Sequence, residues 1–315
     1  MKPTDLAIQR ADDLGYEQEN TFGGVLSFMR RRYTRDLAGV DVAVTGIPLD
    51  IATTFRPGAR LGPAAVRAAS VQLNEKLHPW GFGPCDRLRV VDIGDCPLDL
   101  HRPETAAAAI EAHARRVVDA GATLLSLGGD HFVTLPLLRA HAQRHGAPLA
   151  LIHFDAHCDT WPDDEPHSLN HGTMFYKAVK EGLIDPRRSV QVGIRTWNDD
   201  FMGFTVVGAD EVHNLRPQAV AELIRERVAD DPVYLTFDID ALDPAFAPGT
   251  GTPVAGGLSS AQALGILRGL AGIRLVGMDV VEVAPPFDHA EITALAAAQV
   301  AAELLCLRAM APVRR

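Results

Sequence analysis

Leu149-Ala150-Leu151-Ile152-His153-Phe154 runs directly into Asp155-Ala156-His157-Cys158-Asp159. A short, almost wholly apolar run ending in polar residues reads as a buried strand. Its end offers three metal-ligating side chains at i, i+2 and i+4, which share one face on an extended chain.

Working outward, comparable runs recur at Val42–Ile47, Arg89–Ile93, Thr123–Leu127, Val190–Ile194, Thr205–Val207, Val233–Phe237 and Leu275–Met278, giving eight expected strands. Between most of them lie helical stretches at Pro63–Leu73, Pro103–Ala120, Leu135–His145, Pro217–Val228 and Ser259–Ala271, with an Ala/Leu-rich helix over Glu291–Ala309 at the end. Such alternation predicts an α/β protein: three layers, α/β/α, around a mainly parallel, about eight-stranded sheet. The gap between the fifth and sixth runs is too short for a crossover helix and is expected to be irregular. The Gly/Pro-rich stretch 243–257 is expected as an ordered loop over the sheet edge. One domain over residues 1–315 is expected, its first forty or so residues packing on that domain or on a neighbour.

Two further strand ends carry the same kind of side chain. Asp238-Ile239-Asp240 follows Val233–Phe237, and Gly128-Gly129-Asp130-His131 follows Thr123–Leu127. In an open parallel sheet, functional groups converge beyond the carboxyl ends of the strands. His131, Asp155, His157, Asp159, Asp238 and Asp240 are therefore read as one metal site. Four carboxylates crowded together stay ionised only beside cations, and two divalent ions balance their charge. Oxygen and imidazole donors without thiolate point to two Mn2+ ions. Two metals about 3.5–4 Å apart activate a water for hydrolysis.

Blander readings compete. A loop beginning at Asp238 resembles a calcium loop, but its twelfth position is Gly249 where Glu is needed. Gly128-Gly129 lies in no phosphate-binding pattern and is expected to let backbone approach the metals. Cys158, flanked by proposed ligands, should point to the opposite face. His153 fits either the site or a hydrogen-bonded core position. Glu282, after the last apolar run, is costly to bury without a partner. His171, in a polar loop beyond the cluster, is an acid/base candidate.

Composition narrows the partners. A formal net charge of −10 and a pI near 5.6 argue against a nucleic-acid surface and weakly favour cationic ligands. Cys85, Cys96, Cys158 and Cys306 form no C-x-x-C pair and are expected to be reduced. The polar start and the absence of any apolar run of about 18 residues lead to the expectation of a cytoplasmic protein without a membrane partner.

Taken together, GGDHFVTLP (128–136), HFDAHCDT (153–160), NHGTMFY (170–176), FDIDALDPAFAPGTGTPVAGGL (237–258) and DVVEVAPPFDHAEITALAAA (279–298) resemble the ureohydrolase family of arginases and agmatinases. The wording is nearest to the agmatinase branch. The resemblance implies hydrolysis of agmatine to putrescine and urea, with two manganese ions bridged by a hydroxide that attacks the guanidinium carbon. One ion would be held by His131, Asp155, Asp159 and Asp238, the other by Asp155, His157, Asp238 and Asp240. Glu282 would face the guanidinium, His171 would shuttle protons, Asp159 would relay one to the leaving amine, and Thr252 would lie near the substrate. Asn170 departs from an acidic residue expected before His171-Gly172 and bears on the substrate tail. The family also implies a homotrimer or homohexamer. A guanidinobutyrase or guanidinopropionase would need a cation for a carboxylate tail; Trp161–Asn170 has no Lys or Arg, and Asp163, Asp164 and Glu165 favour an amine. A non-catalytic metal-binding scaffold of the same fold would be expected to have lost a ligand, and none is missing.

Overall fold

The computed structural model describes residues 23–146 and 148–312. In chain order the elements are β1 (Val42–Ile47), α1 (Gly62–Ser70), α2 (Pro84–Arg87), β2 (Val90–Asp95), α3 (Ala106–Asp119), β3 (Thr123–Gly128), α4 (Thr134–His145), β4 (Ala150–Phe154), α5 (Met174–Lys180), β5 (Val190–Val192), β6 (Thr205–Val207), α6 (Ala209–Asn214), α7 (Pro217–Val228), β7 (Val233–Asp238), α8 (Ser260–Gly269), β8 (Leu275–Val281) and α9 (Ile292–Met310). All eight expected strands and the six expected helices are present. The short helices α2, α5 and α6 were not foreseen.

The strands form one sheet in the order β2-β1-β3-β8-β7-β4-β5-β6, and every strand pair is parallel. Because side chains alternate across a strand, β4 sends Ile152 and Phe154 into one core and Leu151 into the other. The first core packs against α1, α7, α8 and α9, the second against α3, α4 and α5. This is the three-layer arrangement. Residues 193–204, between β5 and β6, contain no helix, as their length requires.

Residues 1–22 of the expected N-terminal extension lie outside the described residues. Further along, Phe28 and Met29 are buried in the first core, and the Phe28 N–H donates to Asp92 at 2.8 Å. Helix α9 corrects one expectation. Polar Thr293, Gln299 and Glu303 break its apolar run, yet by length and composition it could cross a membrane. It is mostly buried, packed on α1, α8 and β8.

Connections from β3 to β4 skip two places, so β8 and β7 lie between them. The four adjacent central strands β3, β8, β7 and β4 thus end side by side, and their carboxyl ends form the crevice that the site occupies.

Candidate metal centre

Each strand end delivers its ligand through a different local device. Backbone bonds from Gly129 N to Ile47 O (2.7 Å) and Asp130 N to Leu49 O (2.8 Å) tie the end of β3 to the end of β1. A Cβ on Gly129 would lie 1.7 Å from Leu49 O, so this glycine serves strand-to-strand approach and not approach to a metal. After β4 the chain does not stay extended. The His157 N–H turns back to Asp155 Oδ1 (2.6 Å), and Asp159 sits at φ 54. The three ligands therefore converge through a turn rather than a shared strand face. Asp238 closes β7, and its Oδ1 accepts the Asp240 N–H at 2.8 Å.

The six side chains meet. His131 Nδ1 lies 3.0, 3.1 and 3.2 Å from carboxylate oxygens of Asp155, Asp159 and Asp238. His157 Nδ1 lies 3.3 Å from Asp155 and 3.2 Å from Asp240. Asp155 turns Oδ2 toward His131 and Oδ1 toward His157, so one carboxylate straddles both halves.

The cluster fits cations. His131 Nδ1 is buried and faces three oxygens, yet makes no hydrogen bond. Its other nitrogen contacts Thr236 Oγ1 at 2.8 Å, and that hydroxyl donates to Asp279 Oδ1 at 2.5 Å. Thr236 therefore accepts from Nε2–H, which leaves the Nδ1 lone pair facing the carboxylates, as metal binding requires. Asp279 also accepts from the hydroxyls of Thr134 (2.9 Å) and Tyr234 (2.7 Å).

Electrostatics carry the same message. Burial, Asp240 and Asp155 push the Asp238 carboxyl well above its usual range. Burial and Asp155 also raise Asp240. Against burial, Asp155, Asp159 and Asp238 hold His131 well above its ordinary value, and Asp240 with Asp155 lifts His157 to about 12.

Beside the cluster, Glu282 follows β8 at φ 63, a conformation few L residues adopt. Its Oε1 accepts the His131 N–H (2.8 Å) and faces His171 Nδ1 at 2.7 Å, while buried Oε2 has no partner. His171 Nε2 receives the Thr54 N–H at 3.1 Å, so Nδ1 carries the proton donated to Glu282. Against burial, that bond raises His171 to about 9. Thr54, which bonds His171 through both its N–H and its hydroxyl, carries no local sequence signal of a site residue.

The cluster opens into a cavity of about 290 Å³ lined by Thr54, Trp161, Asn170, His171 and Thr252 beside the ligands. Thr252 Oγ1 donates to Asp240 Oδ2 at 3.2 Å, and Asn170 Oδ1 accepts the Gly172 N–H at 2.8 Å. Glu282 is one layer deeper, behind His171, and not on the cavity wall. Cys158 faces Asn198 and Thr160, away from the cavity. The acidic loop reads differently from expectation. Lys177 of α5 reaches Asp163 at 3.1 Å and the Glu165 carbonyl at 2.7 Å, and Tyr176 donates to Asp164. Asp163 and Asp164 are thus turned to internal partners and do not await a substrate.

Residues 40–306 match the sequence model described as the arginase family. The chain belongs to the arginase family. Within that family it is 64% identical over 304 residues, 96% of this chain and 94% of the other, to a curated agmatinase of Chromobacterium violaceum. A crystal structure described as a hypothetical agmatinase from Burkholderia thailandensis is 66% identical, covering 96% of each chain, with a TM-score of 0.93. A proclavaminate amidino hydrolase of Streptomyces clavuligerus is 41% identical, covering 93% of this chain and 99% of the other, with a TM-score of 0.87. Relatives of this arginase-family chain are thus named for different substrates.

Proposed function

We propose that the protein is an agmatinase, hydrolysing agmatine to urea and putrescine. The carrying observation is the cavity wall: an acidic cluster opens into a space lined, among the described residues, by no Lys or Arg, and Lys177 spends its charge on Asp163 and loop carbonyls. A cationic guanidinium with an amine tail suits such a wall, whereas a carboxylate tail would be desolvated without a counter-charge.

His131, Asp155, Asp159 and Asp238 would hold one Mn2+ ion, and Asp155, His157, Asp238 and Asp240 the other. Such a pair supplies hydroxide near neutral pH and balances the carboxylates. Glu282 does not line the cavity, so in this reading it acts through His171, whose Nδ1–H it accepts, and the guanidinium meets His171 and the ligand carboxylates on the wall. His171 stands between the deeper Glu282 and the cavity and moves protons between Glu282 and the Thr54 hydroxyl. Asp159, at the edge of the cavity, would relay to the departing amine the proton that the attacking water gives up. Thr252 steadies Asp240, and the Asn170 amide faces the tail. In this reading residues 1–315 form one domain, and the protein is cytoplasmic and assembles as a homotrimer or homohexamer, which sedimentation would test.

Urea release from agmatine, arginine and 4-guanidinobutanoate, compared with manganese present, tests the reading. Agmatine is expected to have a kcat/KM roughly 10²-fold or more above the other two, since each of those brings an unpaired carboxylate. Equal values would remove the assignment.

A further inference from the structure

We infer that Gln191 and His153 form a positioning pair that orients Asp155, the carboxylate shared by both proposed cation sites; the inference rests on the metal reading above. The two residues are direct register partners on β4 and β5. Both are buried, and the Gln191 amide lies within an otherwise apolar strand.

The chain of protons is determined step by step. Gln191 Nε2 lies 2.6 Å from the Cys158 carbonyl, which can only accept, so the amide nitrogen faces it and the flipped rotamer would set oxygen against oxygen. The second N–H of that nitrogen then points to His153 Nδ1 at 3.1 Å. Nδ1 is therefore the acceptor, and the ring proton sits on Nε2, 2.7 Å from Asp155 Oδ2. That same oxygen faces His131 Nδ1 at 3.0 Å.

Distance alone would make His153 a ligand, since it groups with His131, Asp155 and Asp159 within 4.8 Å. The Gln191 bond decides otherwise, because a protonated Nε2 has no lone pair to give. His153 instead pins one Asp155 oxygen with a hydrogen bond and leaves its remaining lone pair for a cation. Gln191 also holds the Cys158 carbonyl, so one amide sets both the histidine tautomer and the turn that carries the ligands. The Gln191 Oε1 atom has no partner of its own, which identifies the two N–H groups as the reason for the residue.

The test is titration of the dialysed protein with Mn2+, with two variants at position 153. His153→Phe keeps the ring packed on Phe175, whose centroid lies 4.5 Å away, but loses the donor. It is expected to weaken Mn2+ binding about tenfold or more in a metal-free protein that still unfolds cooperatively, at a somewhat lower temperature because the Gln191 N–H and Asp155 Oδ2 each lose a partner. His153→Gln restores an N–H near the Nε2 position and is expected to bind within about threefold of the parent. Nitrogen-15 spectra should show a protonated Nε2 and bare Nδ1 at His153, and Gln191→Leu should lose that preference and bind Mn2+ more weakly. A bare Nε2 in the parent, parental affinity in His153→Phe, or equal weakening in both position-153 variants would overturn the pair. A parent that retains no Mn2+ would overturn the metal reading as well.

Discussion

Buried and half-buried histidines occur in two regions of the molecule, and their proton affinities move in opposite directions. In the helical layer, burial and the nearby guanidinium of Arg116 lower His113 to about 4, and burial lowers His141 to about 4. At the crevice, carboxylates outweigh burial: His131 lies well above its ordinary value, His157 at about 12 and His171 at about 9. Burial alone penalises the imidazolium; crowded acids reverse the penalty. The difference separates packing histidines from those built to share a site with positive charge.

Asp238→Asn attacks the crevice side of that comparison most severely. Asp238 touches His131 and also holds the Asp240 backbone. Removing its charge should cut urea release by roughly 10³-fold or more, with manganese lost in step. Atomic absorption showing two ions retained by the variant would break the assignment of Asp238 as a shared ligand.

The pH dependence of metal binding sharpens the same contrast. In the metal-free protein His131 and His157 hold protons above an ordinary imidazole value of 6.5, and cations must displace them. Binding therefore releases protons, and affinity must rise with pH. Between pH 6.5 and 9 the expected gain is about tenfold per pH unit for each proton displaced. Calorimetry in two buffers of different ionisation enthalpy counts those protons, and a pH-independent affinity would contradict the geometry.

Much of this region was legible in the sequence because strands announce themselves locally. The run Leu149–Phe154 marks β4, and its polar continuation marks the site. Helix α5 was missed because seven residues span barely two turns, too few to establish a 3.6-residue period. The ligands on 155–159 were identified, although a turn and not an extended face brings them together. Contacts between distant segments were not legible: Thr54 meets His171 across 117 positions, and nothing near Thr54 marks it. Lys177 is hidden for the same reason, so the acidic loop reads as free in the sequence although Asp163 is paired in the fold. Gln191 did leave a trace, a polar side chain inside an apolar strand, which is the sort of residue that needs a stated partner.

The helical side of the comparison yields the smallest effect. His141 Nδ1 donates to the Leu137 carbonyl at 2.8 Å, while its buried Nε2 has no partner and abuts Gly277. With a folded value of about 4 against 6.5 unfolded, the unfolded chain takes up the proton first as pH falls. Stability is thus whole above pH 6.5 and declines toward pH 4, at up to about 1.4 kcal/mol per pH unit from this one group. His141→Leu keeps comparable bulk and removes the titration. Urea melts of the metal-free protein should therefore agree within about 1 kcal/mol at pH 8, and the variant should lose less stability between pH 6.5 and 4. Parallel curves would mean that His141 is reached by water in the folded state, and the contrast with His131 would then owe less to burial than to charge.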